Sequence, residues 1–244
     1  MTLLFRDDPY QVEAEAVVLA AGPDGIILDR TLFYPNGGGQ PGDTGSLRWD
    51  GGSTAIIDAR KAQALVEQGA QVLHIPAPDA LIPPVGATVT QQIDWDRRHR
   101  HMRMHTTLHL LCAVVPGAVT GGQVGADRSR LDFDVPSASL DKDAIETAVN
   151  ELIAADYPVR ERTITDTELD ATPDLVRTMS VKPPTGSGSV RLLQIGTDDA
   201  IIDLQPCGGT HVARTGEIGG ITIVKIENKG KQNRRVQLAL RDKE

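Results

Sequence analysis

The amino-acid sequence predicts an α+β protein, in which a small β-barrel or sandwich comes first and a mixed region follows with helices packed on an antiparallel sheet. Three observations carry this. Up to Ile93, short runs rich in Val, Ile and Leu are separated by clusters of Gly, Pro, Asp and Asn, the cadence of strands joined by tight turns. Beyond Asp94 the apolar spacing becomes helical. After Ser189 it returns to paired β runs.

Strands of the first region are expected at residues 14–20, 25–33, 53–57, 71–75 and 87–93, with one helix interrupting them at 59–68. Pro76, Pro78, Pro83 and Pro84 mark a loop late in the barrel. Met104, Leu108, Leu111 and Val115 then recur at helical spacing, predicting a helix over 101–115. His101, His105, His109 and Cys112 form a stripe beside that apolar face, and Pro116 and Gly117 stop the helix. A second helix over 141–155 puts Ile145, Val149 and Leu152 on one side, with Ser139 or Asp141 as N-cap, and ends before Pro158. A shorter helical piece over 166–178 is divided by Pro173, and the Pro-Pro-Thr-Gly-Ser-Gly-Ser run over 183–189 reads as a mobile loop. Strands follow at 190–195 and 200–204, the second leading straight into Pro206 and Cys207. A hairpin of 220–227 and 234–240 closes the chain, turning through Asn228, Lys229, Gly230 and Lys231.

At 244 residues the chain can bury a sizeable core. Only three Phe, three Tyr and two Trp are present, so that core must be built from Val, Ile, Leu and Ala. A net charge of −8 excludes a surface that binds nucleic acid as a whole; any such contact is local. Two cysteines give no disulfide framework and point to a reducing compartment. No run approaches the ~18 apolar residues of a membrane span, and the N-terminus has no leader pattern. A soluble cytoplasmic protein is expected, with no membrane contact and no obligate protein partner evident.

The chemistry concentrates in two short motifs. His105-Thr-Thr-Leu-His109 places two imidazoles on one face of a helix. Cys207-Gly-Gly-Thr-His211, about a hundred residues later, supplies a thiol and a third imidazole from a turn. Together they make one tetrahedral shell, and for a Cys/His donor set Zn2+ is the natural occupant, one ion per chain. The gap between the pairs holds a domain's worth of chain, so the ion is expected inside a preformed cleft. Read alone, each pair also fits ordinary polar helix residues and a buried small thiol.

Four stretches resemble one family. Phe33-Tyr-Pro-Asn-Gly-Gly-Gly-Gln-Pro-Gly-Asp43 is similar to the glycine-rich loop of the alanyl-tRNA synthetase editing region and of its free-standing relatives, the AlaX alanyl-tRNA editing proteins. Arg103 to Leu111 resembles that family's first metal motif. Gln123-Val-Gly125 with Arg130-Leu-Asp-Phe133 resembles its next block, and Cys207 to Gly219 its second metal motif. The resemblance spans nearly the whole chain and, through the glycine-rich loop, is to the longer AlaX form. It implies a β-barrel domain at 1–93 and an editing domain of the threonyl/alanyl-tRNA synthetase type at 94–244. It also implies a zinc-dependent, ATP-independent deacylase that removes a wrong amino acid, serine foremost and glycine next, from the acceptor end of tRNA(Ala).

The site implied has His105, His109, Cys207 and His211 on the metal, with Gln123 and Cys207 in catalytic positions. Thr31 is the candidate for sensing the serine hydroxyl. Gly37, Gly38, Gly39 and Gln40 lie against substrate, although a tight barrel turn explains these glycines equally well. Two basic patches flank the metal motifs and are candidates for tRNA phosphates: Arg97, Arg98, Arg100 and Arg103, then Lys225, Lys229, Lys231, Arg234 and Arg235. Two rival readings stay open: a metal-dependent hydrolase of small esters or amides, and a non-catalytic tRNA-binding module with structural zinc.

Overall fold

The computed structural model of the chain describes residues 1–62, 72–135, 140–177, 188–230 and 232–241. They fall into two compact units, Met1–His99 and Arg100–Glu244.

The first unit is built on period-two burial. Strand β1 (Thr2–Leu3) and a short helix α1 (Leu4–Asp7) precede β2 (Glu13–Gly22), β3 (Gly25–Leu28), β4 (Arg30–Thr31), β5 (Gly45–Trp49), β6 (Gly52–Lys61), β7 (Val72–Pro76) and β8 (Thr88–Ile93). In the order β2-β3-β7-β6-β5-β8 the strands close into an antiparallel barrel, β8 pairing back onto β2, and closure removes the exposed edges of an open sheet. On β8, Val89, Gln91 and Ile93 are buried and alternate with more exposed Thr88, Thr90 and Gln92. The interior is aliphatic, with Val18, Ile26, Leu28, Leu47, Ile56 and Val89 packed around Phe33.

Two expectations change here, and the unexpected strand β5 is added. The strand expected over 25–33 divides at Asp29, whose Oδ1 accepts from Val17 N at 2.8 Å while its own N donates to Val17 O at 2.9 Å. The chain then leaves the barrel as β4 and pairs in parallel with β1. Ala59, Arg60 and Lys61, expected to open a helix, end β6 instead and pair with His74, Leu73 and Val72. Ala59 is fully buried between more exposed neighbours, so strand alternation decides these residues; residues 63–68 of the expected helix lie outside the described residues. β5 has no strong β pattern of its own and is placed by its neighbours: at Gly45 an added Cβ would stand 2.1 Å from Gln92 O.

Helix α2 (Trp95–Val114) contains the point of division between the units and starts ahead of the expected residue 101. After it come β9 (Ala118–Gln123), β10 (Arg128–Asp134), α3 (Lys142–Ala154), β11 (Val159–Thr165), α4 (Asp166–Ala171), β12 (Ser189–Gly196), β13 (Ile201–Pro206), β14 (Ile221–Asn228) and β15 (Asn233–Leu240). Among the described residues these strands form two antiparallel sheets, β14-β15-β10-β9 and β11-β12-β13. β9, β10 and β11 escape a reading by apolar pattern. Two adjacent glycines interrupt β9, four charged side chains alternate along β10, and β11 lies mostly exposed against β12.

Asp141 is the N-cap of α3, its Oδ1 accepting from Asp143 N and Ala144 N at 2.9 and 3.1 Å. Ile145, Val149 and Ile153 are its buried residues, an i, i+4 row that replaces the expected Leu152 with Ile153. Asn150 holds the helix to β14, giving Nδ2 to Ile221 O and taking Ile221 N on Oδ1. The helical piece expected over 166–178 divides at Thr172: α4 opens on a Thr165/Glu168 capping box, and Pro173 begins a short 3-10 turn. Most of the loop expected over 183–189 lies outside the described residues. Among the described residues no helix is long and apolar enough to cross a membrane.

Candidate metal centre

Helix α2 carries five charged or imidazole-bearing residues in its first six positions, yet Met104 through Cys112 are all buried. A helix enclosed on all sides must satisfy its own polar side chains. Thr107 does so by donating to Arg103 O at 2.8 Å, and Arg103 donates to Ile218 O through Nε and Nη2 at 3.0 and 2.6 Å. His105 and His109, one helical turn apart, have ring centroids 5.5 Å from each other and 4.4 and 5.0 Å from His211.

The second motif reaches them from a strand end. β13 buries Asp203 and Gln205 on one face and runs out at Pro206. The turn beyond is gripped by Arg191 of β12, whose Nη1 donates to Cys207 O at 2.5 Å and Gly209 O at 3.1 Å while Cys207 N donates to Arg191 O at 3.3 Å. Cys207 Sγ thereby stands 3.6 Å from His105 Nε2 and 3.2 Å from His211 Nε2. One donor atom from each of His105, His109, Cys207 and His211 lies within 4.8 Å of all the others.

This set fits a tetrahedral Zn2+. Zn–N bonds of about 2.0–2.1 Å and a Zn–S bond of about 2.3 Å imply donor separations of about 3.3–3.6 Å, and Cys207 Sγ stands 3.6 and 3.2 Å from its two imidazole partners. The donors are also oriented. His109 Nδ1 lies 2.8 Å from Asp203 Oδ2, so its Nδ1–H is spent on the carboxylate and Nε2 faces the cluster. Gln205 Nε2 donates to the same oxygen at 2.9 Å.

The electrostatics suit metal binding, which needs a deprotonated thiol. Burial pushes the Cys207 thiol up, but the imidazoles of His105, His211 and His109 outweigh it and hold the thiol well below its ordinary value, as a thiolate. Burial pushes His109 down, yet the Cys207 thiolate and Asp203 raise it to about 10. His211 is pushed down to about 3, by burial first and by His105 among its neighbours, against the pull of Cys207. Cys112, a turn beyond His109, is a separate case: burial, then the charge on Asp203, raises it to about 12, so it stays a thiol within the core.

The remaining expected residues are distributed as follows. Gln123 ends β9, is exposed, and takes a long 3.4 Å contact on Oε1 from Arg130 Nε. Gly37 and Gln40 exchange backbone bonds of 3.0 Å around Gly38 and Gly39, both at positive φ (59° and 80°), a tight turn that requires glycine. Gln40 is buried. Thr31 is fully buried: its Oγ1 accepts from Phe33 N at 3.0 Å and lies 2.7 Å from His74 Nε2. Because His74 Nδ1 faces Ile26 O at 2.9 Å and must donate there, the Thr31 proton goes to Nε2.

Arg98 corrects an expectation. Placed by sequence among phosphate contacts, it is fully buried, paired with Asp43 and donating to Pro9 O and Leu32 O. Arg97 donates to Gly42 O, Arg100 binds Ala126 O and Asp127, Lys225 and Lys229 meet Glu227, Arg234 turns onto Gly230 O, and Arg235 forms a fork on Asp132. Lys231 lies outside the described residues. Asp203 and Arg191 were not singled out by sequence, although an acid at an inward position of an apolar strand is a readable signal.

Comparison with known proteins follows the same lines. A family model described as threonyl and alanyl tRNA synthetase second additional domain matches residues 190–237, and one described as tRNA synthetases class II (A) matches residues 5–97. An alanyl-tRNA editing protein AlaX-M of Methanosarcina acetivorans is 38% identical across 98% of this chain and 99% of its own length; that of Methanosarcina barkeri is 37% identical over 98% of both. The alanine–tRNA ligase of Pyrobaculum aerophilum is 36% identical over 92% of this chain but only 25% of its own length. By this full-length likeness the chain belongs to the AlaX family of alanyl-tRNA editing proteins.

Proposed function

We propose that the chain is a trans-editing deacylase, which hydrolyses the ester joining a wrong amino acid to the 3′-terminal ribose of tRNA(Ala), with one Zn2+ held by His105, His109, Cys207 and His211. The observation that carries the proposal is the convergence of those four donors from two distant segments into one oriented cluster. The names of the full-length relatives support the substrate class, and the ligase match likens the chain to one quarter of that enzyme.

The reaction asks little of the protein beyond placement. Water adds to the acyl carbon, the ester C–O bond breaks, and the ribose oxygen leaves with a proton as a hydroxyl. When bound, Zn2+ supplies positive charge that polarises an ester carbonyl or acidifies a water. The protein's part is to hold the donors rigid: Asp203 fixes the ring of His109, and Arg191 fixes the turn that presents Cys207. Three histidines are buried while Cys207 is half-buried, so Cys207 marks the side open to substrate and is the ligand that can yield or act directly. Gln123 is proposed to orient water or the acyl group through its amide.

Serine is the proposed residue removed, with glycine second. A site built to hydrogen-bond a hydroxyl rejects the analogue lacking it by about 10^4-fold, which a pocket for alanine cannot do in reverse. Thr31 is the proposed sensor, and with its proton on His74 what it offers a ligand is an acceptor lone pair. Thr31→Val should erase the preference for Ser-tRNA over Ala-tRNA; an unchanged ratio removes Thr31 from this role. Phosphate contacts are proposed for Arg97, Arg100, Arg103, Lys225, Lys229, Lys231, Arg234 and Arg235, with turnover falling as salt rises.

The deciding experiment measures deacylation of Ser-, Gly- and Ala-tRNA(Ala) by wild type and Cys207→Ala, counting zinc in each. The expected result is one zinc in wild type, removal of serine before glycine and alanine, and loss of both metal and turnover in the variant. Full turnover without metal, or faster hydrolysis of free aminoacyl esters than of charged tRNA, overturns the reading.

A further inference from the structure

We propose that Thr106 is a positioning residue of the metal centre: its hydroxyl fixes His211 in the one tautomer that can ligate, and locks the second motif to the first. The inference rests on the metal-binding reading above. Thr106 lies between His105 and His109 on α2 and is fully buried. Its Oγ1 is 2.9 Å from Met102 O, 3.2 Å from His211 Nδ1 and 3.3 Å from Val212 N.

A threonine hydroxyl has one proton and two acceptor sites, and here the neighbours assign all three. Met102 O can only accept, so the proton points to it, the back-bond a helical threonine commonly makes to the carbonyl four residues earlier. Val212 N can only donate, so it occupies one lone pair. What faces His211 Nδ1 is the other lone pair, and a hydrogen bond there requires the ring to carry its proton on Nδ1. A neutral imidazole has a single N–H. His211 Nε2 is therefore a bare lone pair, directed at the cluster where Cys207 Sγ lies 3.2 Å away. In the opposite tautomer the hydroxyl would have to give up Met102 O and turn its proton to Nδ1, and an N–H would enter the space between the donors.

The arrangement parallels that of His109, with a neutral hydroxyl in place of the Asp203 carboxylate. It differs in reach. Thr106 also holds the backbone N–H of the residue after His211, so one side chain on the first motif sets both the ring and the main chain of the second. Valine keeps the shape and the β-branch but removes the hydroxyl; serine keeps the hydroxyl and removes the methyl.

The test uses the full-length chain with Zn2+ as probe and compares wild type, Thr106→Val and Thr106→Ser. Chelator competition is expected to give zinc binding about 10- to 100-fold weaker in the valine variant and within a few-fold of wild type in the serine variant. Long-range 1H–15N NMR of the zinc-loaded wild type is expected to show the His211 proton on Nδ1, a readout independent of how the variants fold. A proton on Nε2, or a valine variant with wild-type affinity, overturns the proposal alone. Equal losses in both variants overturn it too, since they assign the effect to packing. Wild type that takes up no zinc overturns the metal reading, and this proposal with it.

Discussion

The barrel and the metal centre both bury charge, and they neutralise it in opposite ways. In the barrel, Arg98 and Asp43 are 0% and 1% exposed and supply each other's counter-charge. The surplus donors of Arg98 go to Pro9 O and Leu32 O, and Tyr34 N donates to Asp43 at 2.6 Å. The set is closed within the protein. In the metal centre the outer atoms are equally well served, His109 by Asp203 and His211 by Thr106. The inner atoms are three imidazole nitrogens and a thiolate sulfur turned on one another. Among these four, one proton on His109 is what meets the thiolate charge, and it leaves when a metal cation takes its place among the donors. A buried ion pair is thus complete as folded, whereas a ligand cage holds an exchangeable proton where a metal cation can bind.

The sharpest way to break the comparison is to unbalance the closed set. Asp43→Ala leaves the Arg98 guanidinium buried without a counter-charge, and the expected cost is about 3–5 kcal/mol of unfolding free energy. Urea denaturation would measure it. The zinc bound per folded molecule should not change. If stability holds within about 1 kcal/mol, water reaches Arg98 and the set is not closed; if zinc falls in the folded fraction, the two regions are not independent.

The barrel's buried imidazole gives the next effect. Burial pushes His74 down to about 4 from an ordinary 6.5, against the bond to Ile26 O. Between those values the unfolded chain takes a proton that the folded barrel refuses, so stability rises with pH across the window. The contribution is fully present above pH 6.5, is lost as pH falls toward 4, and amounts to about 3 kcal/mol at most. Denaturation midpoints of wild type and His74→Gln at pH 7, 5.5 and 4 should converge as pH falls. A gap of constant size would show that His74 ionises without resistance from the fold.

The two regions also differ in how far the sequence discloses them. The four donors are legible because metal chemistry restricts residue type and spacing together, and the barrel strands because closure imposes alternation. Arg98 is illegible for the opposite reason. Its neighbours Arg97 and Arg100 reach half-exposed positions, and nothing in a run of arginines tells which one turns inward to an aspartate 55 residues away. β9 and β10 are hidden because their pairing, through β15, is decided by strands a hundred residues on. Asp203 falls between these cases: its position in an apolar strand marks it as paired, but only the fold names His109 as the partner.

A change at Asp203 tests the cage side of the comparison. Asp203→Asn keeps an acceptor for His109 Nδ1–H but removes the charge that holds it, and zinc affinity should fall about 10- to 100-fold. The unfolding free energy of the zinc-free chain should shift far less than for Asp43→Ala. Chelator competition beside urea denaturation separates the two, and a variant that loses stability but keeps affinity would make Asp203 a packing residue. The smallest effect belongs to Arg191, which touches no donor atom. Its guanidinium brackets Cys207 O and Gly209 O and pairs with Glu161. Arg191→Met leaves two carbonyls that water can reach, since Arg191 is not fully buried. The turn should loosen and zinc should bind about threefold to tenfold more weakly, a loss of about 1 kcal/mol. The off-rate should carry most of that change, because a mobile Cys207 lets the ion escape from its more exposed side; an unchanged off-rate with a slower on-rate would place Arg191 in forming the cage instead of keeping it closed.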